Sequence, residues 1–239
     1  MGSSQPIVSS AARITSSTPK HWGSRPKSRL RRTKAVTTPD PSSALEARLR
    51  AALARRTDPS SDFDLNPDTV LPEGRRLRPA AVLVGVIGPD DAPEVILTKR
   101  SSRLQHHPGQ IAFPGGKQDA GDDGPVDAAL REAEEEIGLP RDLVRVLGNL
   151  PPHETVTGFT VTPVLARITG DFVPVAEAGE VAEVFRVPLA HLSDPARFRI
   201  EGRRWRGQQR QYYTVPWGPY YIWGATARIL RGLAGRLDP

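Results

Sequence analysis

Cysteine is missing from all 239 residues, which excludes disulfides and thiolate-held metals outright. Long apolar runs are missing too. The longest, around Ala80–Ile87, falls far short of the roughly 20 residues that span a bilayer, and no hydrophobic signal-peptide core lies near the start. These absences predict a cytoplasmic protein with no membrane partner. Acid is absent from residues 1–39, which carry eight basic side chains (Arg13, Lys20, Arg25, Lys27, Arg29, Arg31, Arg32 and Lys34). The rest of the chain then holds 25 basic against 27 acidic side chains, a net of −2, although the whole carries +6. The basicity belongs to the arm and not to the body, so nucleic acid is not the expected partner of the folded part. Internal repeats are also absent.

The arm, 1–40, is rich in Ser, Thr, Pro, Arg and Lys and is predicted to be disordered. A solvated tail or an over-extended translation start is the plain reading. Organelle targeting and a loose electrostatic tether are its alternatives. Residues 41–77 read as a helix and linker, with Leu45, Leu49 and Leu53 four apart and Ser42 or Ser43 as cap. From 78 onward, RPAAVLVGVIG, EVILTKRS, VRVLGNL and TVTPVLARI read as strands. PLAHLSDPARF predicts a short helix from Pro188, RRWRGQQRQYYTVPW an edge hairpin, and GATARILRGLAGRL a closing helix. Strands and helices mix without a regular βαβ repeat, which predicts an α+β domain over 78–239.

One stretch works against its own electrostatics. LREAEEEIGL, residues 130–139, puts four carboxylates into five helical positions near a helix C-terminus. There both mutual repulsion and the macrodipole oppose them. Pro125 suits the first turn, and Gly138 with Pro140 closes the helix. Val126, Leu130, Ala133 and Ile137 form the predicted core stripe. Glu132, Glu135 and Glu136 share another face, while Glu134 points toward solvent. A divalent cation resolves the conflict, and an all-oxygen donor set favours Mg²⁺ or Mn²⁺. Arg131, one turn before Glu135, is placed to hold that carboxylate.

This pattern resembles the Nudix hydrolase box. GGKQDAGDDGPVDAALREAEEEIGL matches its second half throughout, from Arg131 to Leu139. In the first half Asp122 stands where the box has Glu, and eight residues instead of seven precede Arg131. The same lengthened box, with the upstream ILTKRSSRLQHHPGQIAFPGG, is similar to the coenzyme A pyrophosphatase subgroup. The resemblance covers about 78–237. It implies a Nudix fold, with a mixed β-sheet sandwiched between helices. It also implies metal-dependent hydrolysis of the diphosphate of coenzyme A or acyl-CoA to 3′,5′-ADP and 4′-phosphopantetheine. The metal ligands map onto Glu132 and Glu136 with Glu135 alongside. Glu135, Glu136 and Arg131 carry the catalytic roles, Glu135 either completing the metal site or orienting the attacking water. Arg100, Arg103, His107, Gln110, Gly115, Gly116 and Lys117 are the expected substrate-binding residues.

Three other features stay open in the sequence. His106, at an unspecified signature position, reads as incidental. His153-Glu154 is expected to reach the site from a loop. The cluster Tyr212, Tyr213, Trp217, Tyr220, Tyr221 and Trp223 suits adenine stacking, core packing or a homodimer contact. A second Nudix activity and a non-catalytic nucleotide- or RNA-binding module are the competing functions.

Overall fold

The computed structural model describes residues 43–71, 73–205 and 207–237, so the predicted arm lies outside the described residues. In chain order the elements are α1 (Ala44–Ala54), β1 (Ser60–Ser61), β2 (Arg78–Ile87), β3 (Glu94–Arg100), β4 (Ile111–Ala112), β5 (Gly115–Lys117) and α2 (Pro125–Ile137). They continue as β6 (Val144–Asn149), β7 (His153–Glu154), β8 (Phe159–Ile168), β9 (Val181–Pro188), α3 (Leu189–Leu192), β10 (Arg199–Trp205), β11 (Gln208–Thr214) and α4 (Gly224–Leu237).

Strands β1 to β9 form one mixed sheet in which β2 and β8 run side by side in parallel, Arg78 opposite Phe159 through Val86 opposite Arg167. Side chains alternate faces along a strand, and β2 uses both. Ala81, Leu83 and Ile87 pack with α2, whereas Val84 and Val86 join α1 and α4 on the other side. The sheet therefore lies between helical layers, as the resemblance implies. Among the described residues no helix is long and apolar enough to cross a membrane.

Helix α1 begins where expected, with the Ser43 hydroxyl accepting from the Glu46 amide at 3.2 Å. Leu45, Leu49 and Ala52 sit in the same core as α4. The two helices end against each other. Arg236 donates to the Ala52 carbonyl at 3.1 Å, and Arg55 donates back to the Arg236 carbonyl. Each guanidinium thus meets the negative end of the other helix. Helix α1 is therefore packed into the core on this side of the sheet.

Several expectations need correction. The buried stripe of α2 is Ala128, Ala129, Ala133 and Ile137, with Val126 and Leu130 only flanking it. The alanines let the helix approach the sheet, and this turns Glu136 inward until only 4% of it is exposed. The hairpin β10–β11 is not an edge of the main sheet but a two-stranded sheet of its own. The Asn66 amide clamps it, donating to the Gln211 carbonyl at 2.9 Å and accepting from the Gln211 amide at 2.8 Å. Strand β9, absent from the sequence reading, pairs with β3 along its length.

Because Leu49 is fully buried in the shared core, Leu49→Ala should lower unfolding free energy by about 2–5 kcal/mol in urea titration. An unchanged midpoint would show that α1 is not part of the cooperative unit.

Candidate active site

The site forms where α2 passes over β5, and two glycines permit close approaches there, Gly115 to β2 and Gly116 to α2. A Cβ on Gly115 would lie 2.4 Å from the Ala81 carbonyl oxygen, and φ there is 151°, a region side chains avoid. A Cβ on Gly116 would lie 2.5–2.7 Å from all three carboxylate atoms of Glu132. Gly115 and Gly116 are thus the floor of the site. The Gly115 amide donates to Glu136 Oε2 at 3.0 Å.

Glu136 is otherwise poorly compensated. The Arg100 guanidinium, at the end of β3, stands 3.9 Å from Glu136 Oε1. Burial pushes the Glu136 carboxyl up to about 7, against the opposing pull of the Gly115 amide and Arg100. Burial also raises Glu132, against the Arg131 hydrogen bond, and the neighbouring charges of Glu135 and Glu180 add to it. Two desolvated carboxyls thus share one side of the helix.

Arg131 treats the remaining acids differently. Its guanidinium binds Asp122 twice, at 2.9 and 3.1 Å, and reaches Glu132 at 3.1 Å, Glu135 at 3.0 Å and the Lys117 carbonyl at 3.1 Å. The Asp122 carboxyl is held below its ordinary range chiefly by that hydrogen bond. Asp122, the departure from the box, therefore anchors Arg131 across the extra residue. Glu135 is held by Arg131 but keeps 60% of its side chain exposed. Glu134 pairs instead with Arg141 at 3.2 Å.

The far end of α2 is closed by Gly138 in the left-handed region at φ 66°, with the Gly138 amide bonded to the Glu134 carbonyl and the Leu139 amide to that of Ala133. The segment before β9 then fastens the last turn. The Val175 amide donates to the Ile137 carbonyl at 3.0 Å, and the Glu177 amide to that of Glu136 at 2.9 Å. No local signal in the sequence announced these two bonds.

The upstream signature wraps the other side. The Arg100 amide bonds to the Gln110 carbonyl at 2.9 Å, and the Gly109 amide to the Arg100 carbonyl at 3.1 Å, which closes 101–108 into a loop. His107 holds a positive φ of 57°, costly for a side-chain-bearing residue and common at functional sites. Loss of solvation and then Arg100 pull its imidazole down, while a hydrogen bond with Gln110 opposes them. Arg103 and Lys117 are exposed on this rim, as is His106. His153 does not reach the site. It is fully buried in β7 between Ser60 Oγ at 3.0 Å and Asp62 Oδ1 at 3.2 Å. The short parallel pairing of β1 with β7 draws it there.

A divalent cation fits this arrangement. Among the described residues no three His, Asp or Glu side chains form a ready-made metal group. The donors are nevertheless hard oxygens, Glu136 has only one amide and a guanidinium 3.9 Å away in place of water, and the missing Cβ of Gly116 lets the Glu132 carboxylate lie against the strand. Mg²⁺ needs only one or two protein carboxylates and fills its shell with water and phosphate oxygens.

The NUDIX domain model matches residues 76–207. A Cronobacter sakazakii protein described as an uncharacterized Nudix hydrolase NudL is 44% identical over 157 residues, 66% of this chain and 81% of that protein. One of the same description from Citrobacter koseri is 41% identical over 174 residues, 73% and 90%. A solved Nudix hydrolase from M. smegmatis, RenU, is 29% identical over 50% of this chain and 74% of its own, with a TM-score of 0.42. The chain belongs to the Nudix family. It is a hydrolase of phosphoric anhydrides, acting on a nucleoside diphosphate derivative, in a family that generally uses Mg²⁺ or Mn²⁺.

The carboxyl of Glu136 gives a pH signature. Its folded value, about 7, lies above the ordinary 4.5. The unfolded chain therefore releases this proton first, and the metal-free fold loses stability as pH rises through that interval, by up to about 3 kcal/mol. Glu136→Gln should remove this loss, so that in EDTA the variant is more stable than the parent at pH 8 and little different at pH 4. Urea titrations at the two pH values check it; an equal change in unfolding free energy between pH 4 and pH 8 for both proteins would remove the buried-charge argument.

Proposed function

We propose that this Nudix hydrolase cleaves the diphosphate bridge of coenzyme A or an acyl-CoA, yielding 3′,5′-ADP and 4′-phosphopantetheine or its acyl form. The supporting observation is the meeting of two segments. The strand that begins the upstream signature delivers Arg100 to within 3.9 Å of Glu136, and the loop it opens brings His107 and Gln110 to the same rim. In this reading the residues that distinguish the subgroup stand beside the carboxylates of the common chemistry.

Glu132 and Glu136 would hold Mg²⁺ or Mn²⁺, which when bound would supply neutralisation of phosphoryl charge and a more acidic water near neutral pH. Arg100, Arg103 and Lys117 offer positive charge to the phosphates, arginine through its planar fork. Gly115 and Gly116 let the backbone come close to the substrate. Glu135, the exposed member of the three acids, suits the task of passing a proton from the attacking water to solvent. Arg131 keeps Glu132 and Glu135 oriented. As water adds to phosphorus, one P–O bond forms and the bridging P–O bond breaks.

The test is incubation of the purified chain with Mg²⁺ or Mn²⁺ and, separately, CoA, ADP-ribose and a dinucleoside polyphosphate, with products identified by mass. CoA should be cleaved most efficiently, and Glu136→Gln should lower kcat by about 10²- to 10³-fold, as loss of an electrostatic catalytic group does. Efficient turnover of ADP-ribose with CoA untouched would contradict the substrate reading while leaving the Nudix chemistry intact.

A further inference from the structure

Helix α4 carries two glycines in its interior that packing does not require. Glycine there is less favourable than alanine, because it surrenders more backbone freedom on folding. A Cβ at Gly232 would have only an Arg228 guanidinium nitrogen within 4 Å, at 4.0 Å, and a Cβ at Gly235 only that of Arg231, at 3.4 Å. Both are ordinary contacts with the far ends of flexible side chains. Folding alone would accept alanine at either position.

What the glycines leave open is a cavity of about 430 Å³, within the range that holds small organic ligands. Arg228, Arg231, Gly232 and Gly235 fall within an arc of about 100° on the helix and form one wall. The α1–β1 connection, at Thr57 and Ser60, supplies another, and Leu150, Pro151 and Pro163 supply apolar surface. Leu150, like Ile229 and Leu233 of α4, belongs to the core shared with α1. The cavity is therefore on the side of the sheet away from α2 and Glu136.

Its charge is one-sided. Arg228 is answered by Asp64 at 2.7 Å. Arg231 lies over the Phe198 ring, 5.9 Å from its centroid. Arg236, only 4% exposed, donates to the Ala52 carbonyl at 3.1 Å and to the Thr57 hydroxyl. Among the described residues neither Arg231 nor Arg236 meets a carboxylate, and Asp58, the one acid in the walls, is exposed and pairs with neither. Burial pulls the Arg236 guanidinium below the ordinary arginine range, with no neighbouring acid to oppose it. A buried charge held only by neutral acceptors is costly. Beside an open, partly apolar space, that cost is relieved by an anion whose body fills the space.

We infer that the cavity along Gly232 and Gly235 binds a small amphipathic anion, a carboxylate or phosphate monoester on a short apolar chain, with Arg231 and Arg236 taking the headgroup. The inference does not rest on the coenzyme A reading, since no residue assigned to catalysis lines the cavity.

The test is calorimetric titration of the metal-free chain with hexanoate, hexyl phosphate and inorganic phosphate. A six-carbon probe should bind at a single site at least about tenfold more tightly than inorganic phosphate, and the stronger of the two identifies the headgroup. Arg231→Ala should weaken that binding about tenfold, the worth of one charge-assisted contact. Gly232→Leu should abolish it by filling the cavity, and Arg100→Ala, at the catalytic rim, should leave it unchanged. Gly232→Ala should raise the urea midpoint, as alanine does in a helix with room for it. No heat from either six-carbon probe at about 5 mM overturns the inference, as does inorganic phosphate binding equally well. Binding that survives both Arg231→Ala and Gly232→Leu, or that is lost in Arg100→Ala, overturns it too. A lowered midpoint for Gly232→Ala would show that the fold itself needs the glycine, and would remove the argument for an open cavity.

Discussion

The close approach of α2 to the Gly115–Gly116 strand governs the rest of the structure. Alanines at 128, 129 and 133 thin the helix on that side, Gly116 thins the strand beneath it, and Gly115 lets that strand lie close against β2. A side chain added at either glycine would strike the Ala81 carbonyl or the Glu132 carboxylate. The closeness buries Glu136 against the Gly115 amide, and one amide with one distant guanidinium does not replace the water it has lost. A fold optimised only for stability would place an apolar residue there. The unmet negative charge is what makes a cation the natural completion of the site.

Environment sorts five acids along one short segment into different chemical types. Asp122 is neutralised by Arg131 and serves as an anchor, and Glu134 is engaged by Arg141 on the outside. Glu135 stays open to solvent, while Glu132 and Glu136 are desolvated with their protons held more tightly. The same carboxyl chemistry thus yields a structural pin, a solvent-facing acid and a pair suited to a divalent ion. Arg131 draws the boundary between these groups, because its five donors reach Asp122, Glu132, Glu135 and the Lys117 carbonyl at once.

Much of this was legible in the sequence, and the exceptions have physical causes. Helix α2 was marked by Pro125 and Gly138, and its acids could be divided by angle because helical geometry is nearly constant. The inward turn of Glu136 was not legible, since it depends on how near the alanines let the helix come. The alternation of β9 was obscured by Glu183, which stands in register with its buried Val181, Phe185 and Val187. His153 looked like a loop residue near the site, but the pairing of β1 with β7 captures it in the core. The bonds from Val175 and Glu177 to the end of α2, like those from Asn66 to Gln211, join residues far apart in the chain. Pattern within a short window does not carry such information.

The central claim, that burial keeps the Glu136 proton into the neutral range so that a bound cation displaces it there, is tested most directly by counting protons. Mg²⁺ or Mn²⁺ is titrated calorimetrically into the metal-free protein in buffers of differing ionisation enthalpy. With Glu136 at about 7, binding at pH 7 should release about half a proton per ion, and almost none at pH 9. Binding that releases no proton at pH 7, or no binding at all, would contradict the account.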